Sequence, residues 1–409
     1  MKEIVITHGV RTPIGKFGAS LSNCSDLELA SLVLTDLIKE RAGLDPQLID
    51  HVIMGEVRQS SDPSNLARVA ALAAGIPEQV PAYTVHRQCG SGLQAIIDAY
   101  QLIAGGEARI VAAGGAENMS QSAYFMRNTG QGLGTGHYTI EDSLIAGGPG
   151  STPVHLYGSL PMGMTAENLA EKYGISREAQ DRFAQQSQER MAAAIAEGRF
   201  KEQIVPVEIP AGDSVRIFDT DEHPFLSSFE KLSTLRPVFK KDGSVTAGNS
   251  SGRNDGAGAV LVMEREQAKR LGYEPLAVIR AVASSGCEPG IMGIGPVACT
   301  KKALSKAGLK IHDLDVIELN EAFAAQSLAV VEEWKSWGIS EAELNDKINP
   351  NGGAIAHGHP LGCTGAALCV KCMYELKRVP EKRLGLISLC CAGGLGVALI
   401  LEKINGEEN

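Results

Sequence analysis

Short apolar runs bounded by glycine or acidic residues recur along the chain, and they recur twice in one order. Ile49-Asp-His-Val-Ile-Met-Gly-Glu56 predicts a strand. Cys89-Gly-Ser-Gly-Leu-Gln-Ala opens a helix with apolar positions Leu93, Ile96, Ile97, Tyr100 and Ile103, and Ala108-Arg-Ile-Val-Ala-Ala-Gly-Gly115 predicts a second strand. In the second half Asp315-Val-Ile-Glu-Leu-Asn-Glu321, His359-Pro-Leu-Gly-Cys-Thr-Gly-Ala and Leu384-Gly-Leu-Ile-Ser-Leu-Cys-Cys-Ala-Gly-Gly394 repeat the sequence of elements. This duplication predicts two similar α/β halves about a pseudo-twofold axis, each with a buried sheet covered by helices and with the chemistry between them.

Residues 119–249 break the pattern. Asn128 to Gly150 predicts a glycine-rich loop, and Ser176 to Gly198 an amphipathic helix with Ser176 as N-cap, Phe183, Met191 and Ile195 inward, and Gly198 as C-cap. We read the stretch as an inserted cap able to hold the distal end of a ligand, after which Ala247 to Glu264 returns to strand. The division is then 1-118 plus 250-271, an insertion at 119-249, and a second half at 272-409.

Composition narrows the class. A chain of 409 residues, 44% hydrophobic, is long enough for more than one core, and 46 glycines with 5% aromatic residues suit tightly packed α/β layers. A net charge of -10 argues against nucleic-acid binding, which needs a basic face, yet leaves room for a small anion held by local lysines and backbone amides. The first residues enter a strand-like run with no apolar leader, and Asn405-Gly-Glu-Glu-Asn is no peroxisomal address, so the expectation is a cytoplasmic protein without a membrane partner. Nine cysteines without regular spacing predict reduced thiols, and Cys369 and Cys372 lack a second pair to complete a zinc site, so no metal is expected.

Three places carry chemistry. Cys89 lies between the strand-like Ala82-Tyr-Thr-Val-His and a helix start, where the peptide dipole favours thiolate, a setting that predicts a depressed pKa and a nucleophile. Gly90 and Gly92 are expected to permit the turn and leave space beside the sulfur. His359, before the matching helix and ahead of Pro360, is the candidate general base, with His357 as its neighbour. Cys390 ends an apolar strand, so a second thiol can reach the crevice with the following N–H groups free to bind an oxyanion. Asn320 can orient a water or a carbonyl, or simply cap a helix. The glycines at 130, 132, 134 and 136 form no dinucleotide fingerprint, and there is no P-loop.

His86-Arg-Gln-Cys89-Gly-Ser-Gly-Leu, Asn320-Glu-Ala-Phe-Ala, Gly352-Gly-Ala-Ile-Ala-His-Gly-His359-Pro-Leu-Gly and Cys390-Cys-Ala-Gly-Gly394 resemble the four signature segments of thiolases, and the similarity spans nearly the whole chain. The resemblance implies duplicated thiolase-like αβαβα layered domains with an inserted cap (loop) domain. It implies reversible Claisen condensation and thiolysis of 3-oxoacyl-CoA through an acyl thioester on Cys89, in the manner of an acetyl-CoA C-acetyltransferase or a longer-chain degradative 3-ketoacyl-CoA thiolase. His359 would activate Cys89, and Cys390 would move the α-proton. Asn320, through a water, and His359 would form one oxyanion site, and the backbone amides of Cys89 and Ala392 the other. Met162, Ser251, Met292 and Phe323 would line the pantetheine channel. Acyl-CoA and CoA would be substrates, with no further cofactor, in a homodimer or homotetramer of fatty acid metabolism.

Some residues depart from the family pattern. Ala392 stands where a glycine is usual, which predicts a narrower pocket, since only its N–H is needed. His357 replaces an aliphatic residue, Pro161 precedes Met162 where a larger side chain is common, and Phe225 stands where an arginine often meets the CoA nucleotide. A condensing enzyme serving an acyl carrier protein would lack Cys390, a cysteine hydrolase would lack the repeat, and an inactive thiolase-like binding subunit would have lost one of the four catalytic side chains.

Overall fold

Strand β1 (Ile4–Arg11) shows the period that organises the molecule: Ile4 and Ile6 enter one core while Val5 and Val10 enter another. The computed structural model describes residues 2–127, 130 and 132–404; the tail read above at 405–409 lies outside the described residues. From β1 the chain forms α1 (Asp26–Thr35), β2 (His51–Gly55), α2 (Leu66–Ala73), β3 (Ala82–Val85), α3 (Ser91–Gly105) and β4 (Ile110–Asn118). The insertion contributes α4 (Met162–Tyr173) and α5 (Arg177–Ala196). The chain then closes the first half with β5 (Asn254–Glu264) and builds the second from β6 (Ala277–Gly286), α6 (Gly295–Ala307), β7 (Val316–Leu319), α7 (Ala324–Lys335), α8 (Leu361–Arg378), β8 (Leu384–Cys391) and β9 (Leu395–Glu402).

The duplication is visible in the pairing. In the first half β3, β2 and β4 run parallel, followed by antiparallel β5 and β1; in the second, β7 and β8 run parallel, followed by antiparallel β9 and β6. The halves do not keep separate sheets as expected. β1 and β6 pair through Val5–Val278 and Ile6–Ala277, making one sheet that has ten strands with the short Gly15–Lys16 pairing β5, because β1 and β6 are each the inner edge strand of their half and the two edges meet.

Three cores give five layers. α1 and α2 cover one outer face, α6 and α7 the other, and α3 and α8 lie together in the middle, packed by Leu93, Ile96, Ile97, Leu368, Val370 and Met373 between strands of both halves. Cys369 and Cys372 belong to this central core as buried apolar-like groups.

In the insertion, Ser176 caps α5 by accepting from Ala179 N at 3.1 Å, and Gly198 follows with φ 70°. Its inward face differs from the expected one. Met191 is buried, Phe183 and Ile195 only partly, and Gln180, Asp181 and Ser187 are buried beside it. These polar groups tie α5 to other segments: Asp181 accepts from Asn249 Nδ2 at 2.9 Å at the end of the insertion, and Ser187 donates to Glu321 of the second half at 2.7 Å. An apolar stripe is not needed where buried polar side chains find partners, as Asp181 and Ser187 do here. The predicted loop includes short elements at Glu141–Asp142, Ser143–Ala146 and Pro149–Ser151, while residues 128, 129 and 131 of it lie outside the described residues.

Candidate active site

The central helices meet at their N-terminal ends. A Cβ on Gly92, the second residue of α3, would lie 2.5 Å from the Gly362 carbonyl oxygen, and one on Gly365 would lie 2.7 Å from Leu93 Cβ. Cys89 and His359 each stand two residues before their helix begins, so this backbone contact sets both beside the same crevice. The glycines therefore serve helix contact and do not open space at the sulfur. Gly90 is likewise closed, since its Cβ would lie 2.7 Å from Cys391 Sγ. The sharp turn falls on Gln88, whose φ is 50°.

His359 is buried with its protonation geometry set. Thr364 Oγ1 donates to Pro360 O at 2.8 Å, and Thr364 Oγ1 and His359 Nδ1 lie 2.7 Å apart. A hydroxyl has one proton, so Thr364 must accept from Nδ1–H, which leaves Nε2 as a bare acceptor; Nε2 is buried with no other partner. Asn254 Oδ1 takes the His359 backbone N–H at 2.9 Å. Burial lowers the imidazole pKa to about 4, so the ring is neutral over the ordinary working range. The neutral form is favoured by folding. This contribution to stability is therefore complete above the ordinary value of 6.5 and is lost as pH falls from there to about 4. Thr364→Val removes the acceptor that holds Nδ1–H. It is expected to lower kcat roughly ten- to hundredfold, below the full contribution of about 10²–10⁴ from a positioned base because the ring itself stays, and to shift the acid limb of the pH–rate profile. An unchanged rate and profile would refute this role for Thr364.

Cys89 contradicts the expected pKa. Burial of the sulfur raises it to about 11, against the backbone N–H of Ala392, the Arg58 guanidinium and its own N–H, all of which favour thiolate. Desolvation outweighs the helix end because the unscreened cost of a buried anion exceeds the field of one helix terminus. At rest the two groups are thus a thiol and a neutral imidazole. Cys390 is held well above the usual thiol value by burial and then by Cys89 and Cys287. Adjacent Cys391 points into the central core, whereas Cys390 clusters with Met292, Phe323, Ala322 and Ala166, against which Met162 packs. Ser251 joins this wall: its N–H donates to Ala322 O at 3.0 Å. Five predicted residues, Cys390, Met162, Ser251, Met292 and Phe323, therefore share one surface.

Asn320 is fully buried with neither side-chain polar atom paired, so it is not a helix cap. An unpaired buried amide costs about 1–3 kcal/mol unless a substrate or water completes it. His357 is also buried and unpaired at both ring nitrogens, and burial holds its pKa well below the ordinary value. Phe225 lies exposed, its ring 4.6 Å from Lys231 Nζ and its N–H on Gln188 Oε1 at 2.9 Å. Sequence reasoning missed Thr364, Asn254 and Glu117. The last accepts from Val57, Arg58 and Gly362 N–H groups at 3.0, 2.9 and 2.8 Å, tying the end of β2 to the start of α8. A lone carboxylate inside the apolar strand β4 was the available signal.

The thiolase N-terminal domain model matches residues 4–266 and the thiolase C-terminal domain model residues 273–403. The chain belongs to the thiolase family. It is 44% identical over 405 residues to an acetyl-CoA acetyltransferase of Syntrophomonas wolfei, covering 98% of this chain and 100% of the relative. A Chromobacterium violaceum acetyl-CoA acetyltransferase is 47% identical, with 98% of this chain and 100% of the relative covered. The crystal structure of the Bacillus anthracis acetyl-CoA acetyltransferase superposes with a TM-score of 0.93 at 44% identity, covering 99% of each chain. That of human mitochondrial 3-ketoacyl-CoA thiolase in complex with CoA gives 0.91 at 41% identity, covering 99% of this chain and 98% of that one. This thiolase is an acyltransferase. Among the described residues no helix is long and apolar enough to cross a membrane.

Proposed function

We propose that this thiolase carries its acyl group on Cys89 and acts as an acetyl-CoA C-acetyltransferase. The observation that carries the reading is the meeting of α3 and α8 at their N-terminal ends, which brings the Cys89 and His359 turns together while His359 Nε2 stays buried and unpaired. Sulfur attacks the thioester carbonyl as its proton passes to Nε2, and the CoA thiol leaves with that proton. Cys390, once its own proton has passed to Nε2 of His359, takes a proton from the α-carbon of a second acetyl-CoA. The resulting carbanion attacks the acyl carbon and releases the Cys89 sulfur, which takes the proton held on Nε2. The N–H groups of Cys89 and Ala392 face the negative oxygen formed on the acyl group, and Asn320, through a water, with His359 faces the oxygen of the enolate. The reverse sequence is thiolysis.

Acetyl transfer is favoured by the names of the relatives, and a longer chain is the second reading, favoured by the structural match to 3-ketoacyl-CoA thiolase. Met162, Ser251, Met292 and Phe323 would hold pantetheine. A homodimer or homotetramer in the cytoplasm fits the unpaired outer edge of β3 in the sheet order. Brief incubation with acetyl-CoA, followed by digestion and mass spectrometry, should add one acetyl group to the peptide containing Cys89. Label on Cys390 or Cys391 instead would refute the assignment. Thiolysis rates across acyl lengths distinguish the two substrate readings.

A further inference from the structure

We propose that Arg58 reads a carboxylate at the far end of the acyl chain, so that this thiolase prefers 3-oxoacyl-CoA substrates whose chain ends in an ionised carboxyl group. The inference rests on the Cys89 reading and deepens it by naming a substrate class.

β2 ends at Gly55, where a Cβ would lie 2.5 Å from Gly92 N, so the residues that follow pass directly beside the Cys89 turn. Glu117 fixes them by holding the Val57 and Arg58 N–H groups together with that of Gly362. From this anchored backbone the guanidinium reaches Gly147 and packs on its Cα. The same strip continues over the crevice. Gly148 faces Met162, and Ser151 O would lie 3.0 Å from a Cβ on Gly393, in the turn after Ala392. Arg58, Met162 and the turn after Ala392 therefore all lie against one strip, Gly147 to Ser151, next to the turn that carries Cys89.

The charge has no contacting carboxylate among the described residues: Arg58 Nε is buried and unpaired, and the half-buried side chain makes no ion pair there. Glu117 feels its charge, but Glu117 spends its oxygens on three backbone N–H groups, and burial raises its pKa to about 7 against the pull of Arg58, which weakens it as a counterion. In a chain with 48 acidic against 38 basic side chains, a guanidinium beside the nucleophile with no carboxylate in contact is free to take a ligand. A planar fork of N–H donors matches a carboxylate in two parallel hydrogen bonds. An acyl group on Cys89 begins within the field of this cation, since Arg58 already acts on that sulfur. In thiolysis the Cys89 sulfur bonds to the 3-oxo carbon and the bond to the α-carbon breaks. Its electron pair takes a proton to leave acetyl-CoA, and the CoA thiol then removes the carboxylate-ended acyl group.

The test compares CoA-dependent cleavage of 3-oxohexanedioyl-CoA and 3-oxohexanoyl-CoA, equal in chain length and different only in the terminal carboxylate, by the wild type, Arg58→Leu and Arg58→Lys. The wild type should favour the carboxylate substrate in kcat/KM by at least about tenfold, Arg58→Leu should abolish that ratio, and Arg58→Lys should keep part of it. No preference in the wild type, or an equal loss on both substrates in Arg58→Leu with the ratio intact, overturns the proposal. The second result would assign Arg58 to the sulfur or to the fold. If neither substrate nor acetoacetyl-CoA is cleaved, the thiolase reading beneath it fails, an outcome separate from cleavage without preference.

Discussion

Cys89→Ala is expected to leave the protein folded and to lower acyl transfer by at least about 10⁴-fold, as when the nucleophile of a covalent mechanism is removed. The turn that carries Cys89 is held by backbone and neighbours rather than by its sulfur: Gly90 N donates to Arg87 O at 3.1 Å, and Ser91 Oγ accepts from Arg87 N at 2.8 Å and donates to Gln88 O at 2.6 Å. Replacing the thiol by hydrogen leaves all of these bonds in place. A thermal melt within a few degrees of the wild type, with no acetyl label and no thiolysis, is the expected pair of results. Turnover within tenfold of the wild type would mean that the acyl group never rests on this sulfur.

The second large effect belongs to Cys390→Ser, which should separate the two half-reactions. Acetylation of Cys89 needs only Cys89, His359 and the backbone amides, so its burst should survive. Condensation, and exchange of deuterium into the methyl group of acetyl-CoA, should fall by the roughly 10²–10⁴-fold that a positioned acid–base group contributes, because an alcohol is a far weaker acid than a thiol. Cys390 is held protonated by burial first and then by neighbouring Cys89, so its proton must pass to another group before it can act as a base. Burst acylation and exchange measured on one preparation decide the matter. Equal loss of both would give Cys390 a structural part, and near-normal exchange would pass proton transfer to another group, with His357 the next candidate.

These expectations join Cys89 to His359 and Cys390, residues that lie 270 and 301 positions further along the chain, and the sequence was informative where chemistry is local. The duplicated strand and helix order, Ser176 as a helix cap and the strand that ends at Cys390 all follow from short-range pattern, because backbone propensity and capping depend on neighbours along the chain. The motifs named the family for a similar reason, since a glycine or histidine at a helix start has few local alternatives.

What lies across the chain was decided only by packing. That β1 and β6 would fuse two sheets into one depended on which edges meet. The inward face of α5 is polar because Glu321 and Asn249 of distant segments satisfy it, an outcome that no hydrophobic period can encode. Gly90 and Gly92 stand where they do because Cys391 and α8 press on them. The bare Nε2 of His359 depends on the hydroxyl of Thr364 having already given its proton to Pro360 O. The direction of the Cys89 pKa depends on how much water reaches the sulfur, and that balance of desolvation against dipole is a property of the enclosed site. By itself the sequence determined which residues were chemically able to act; the tertiary structure decided their protonation, their partners and the unmatched charge of Arg58, because burial and distance exist only once the halves have closed on each other.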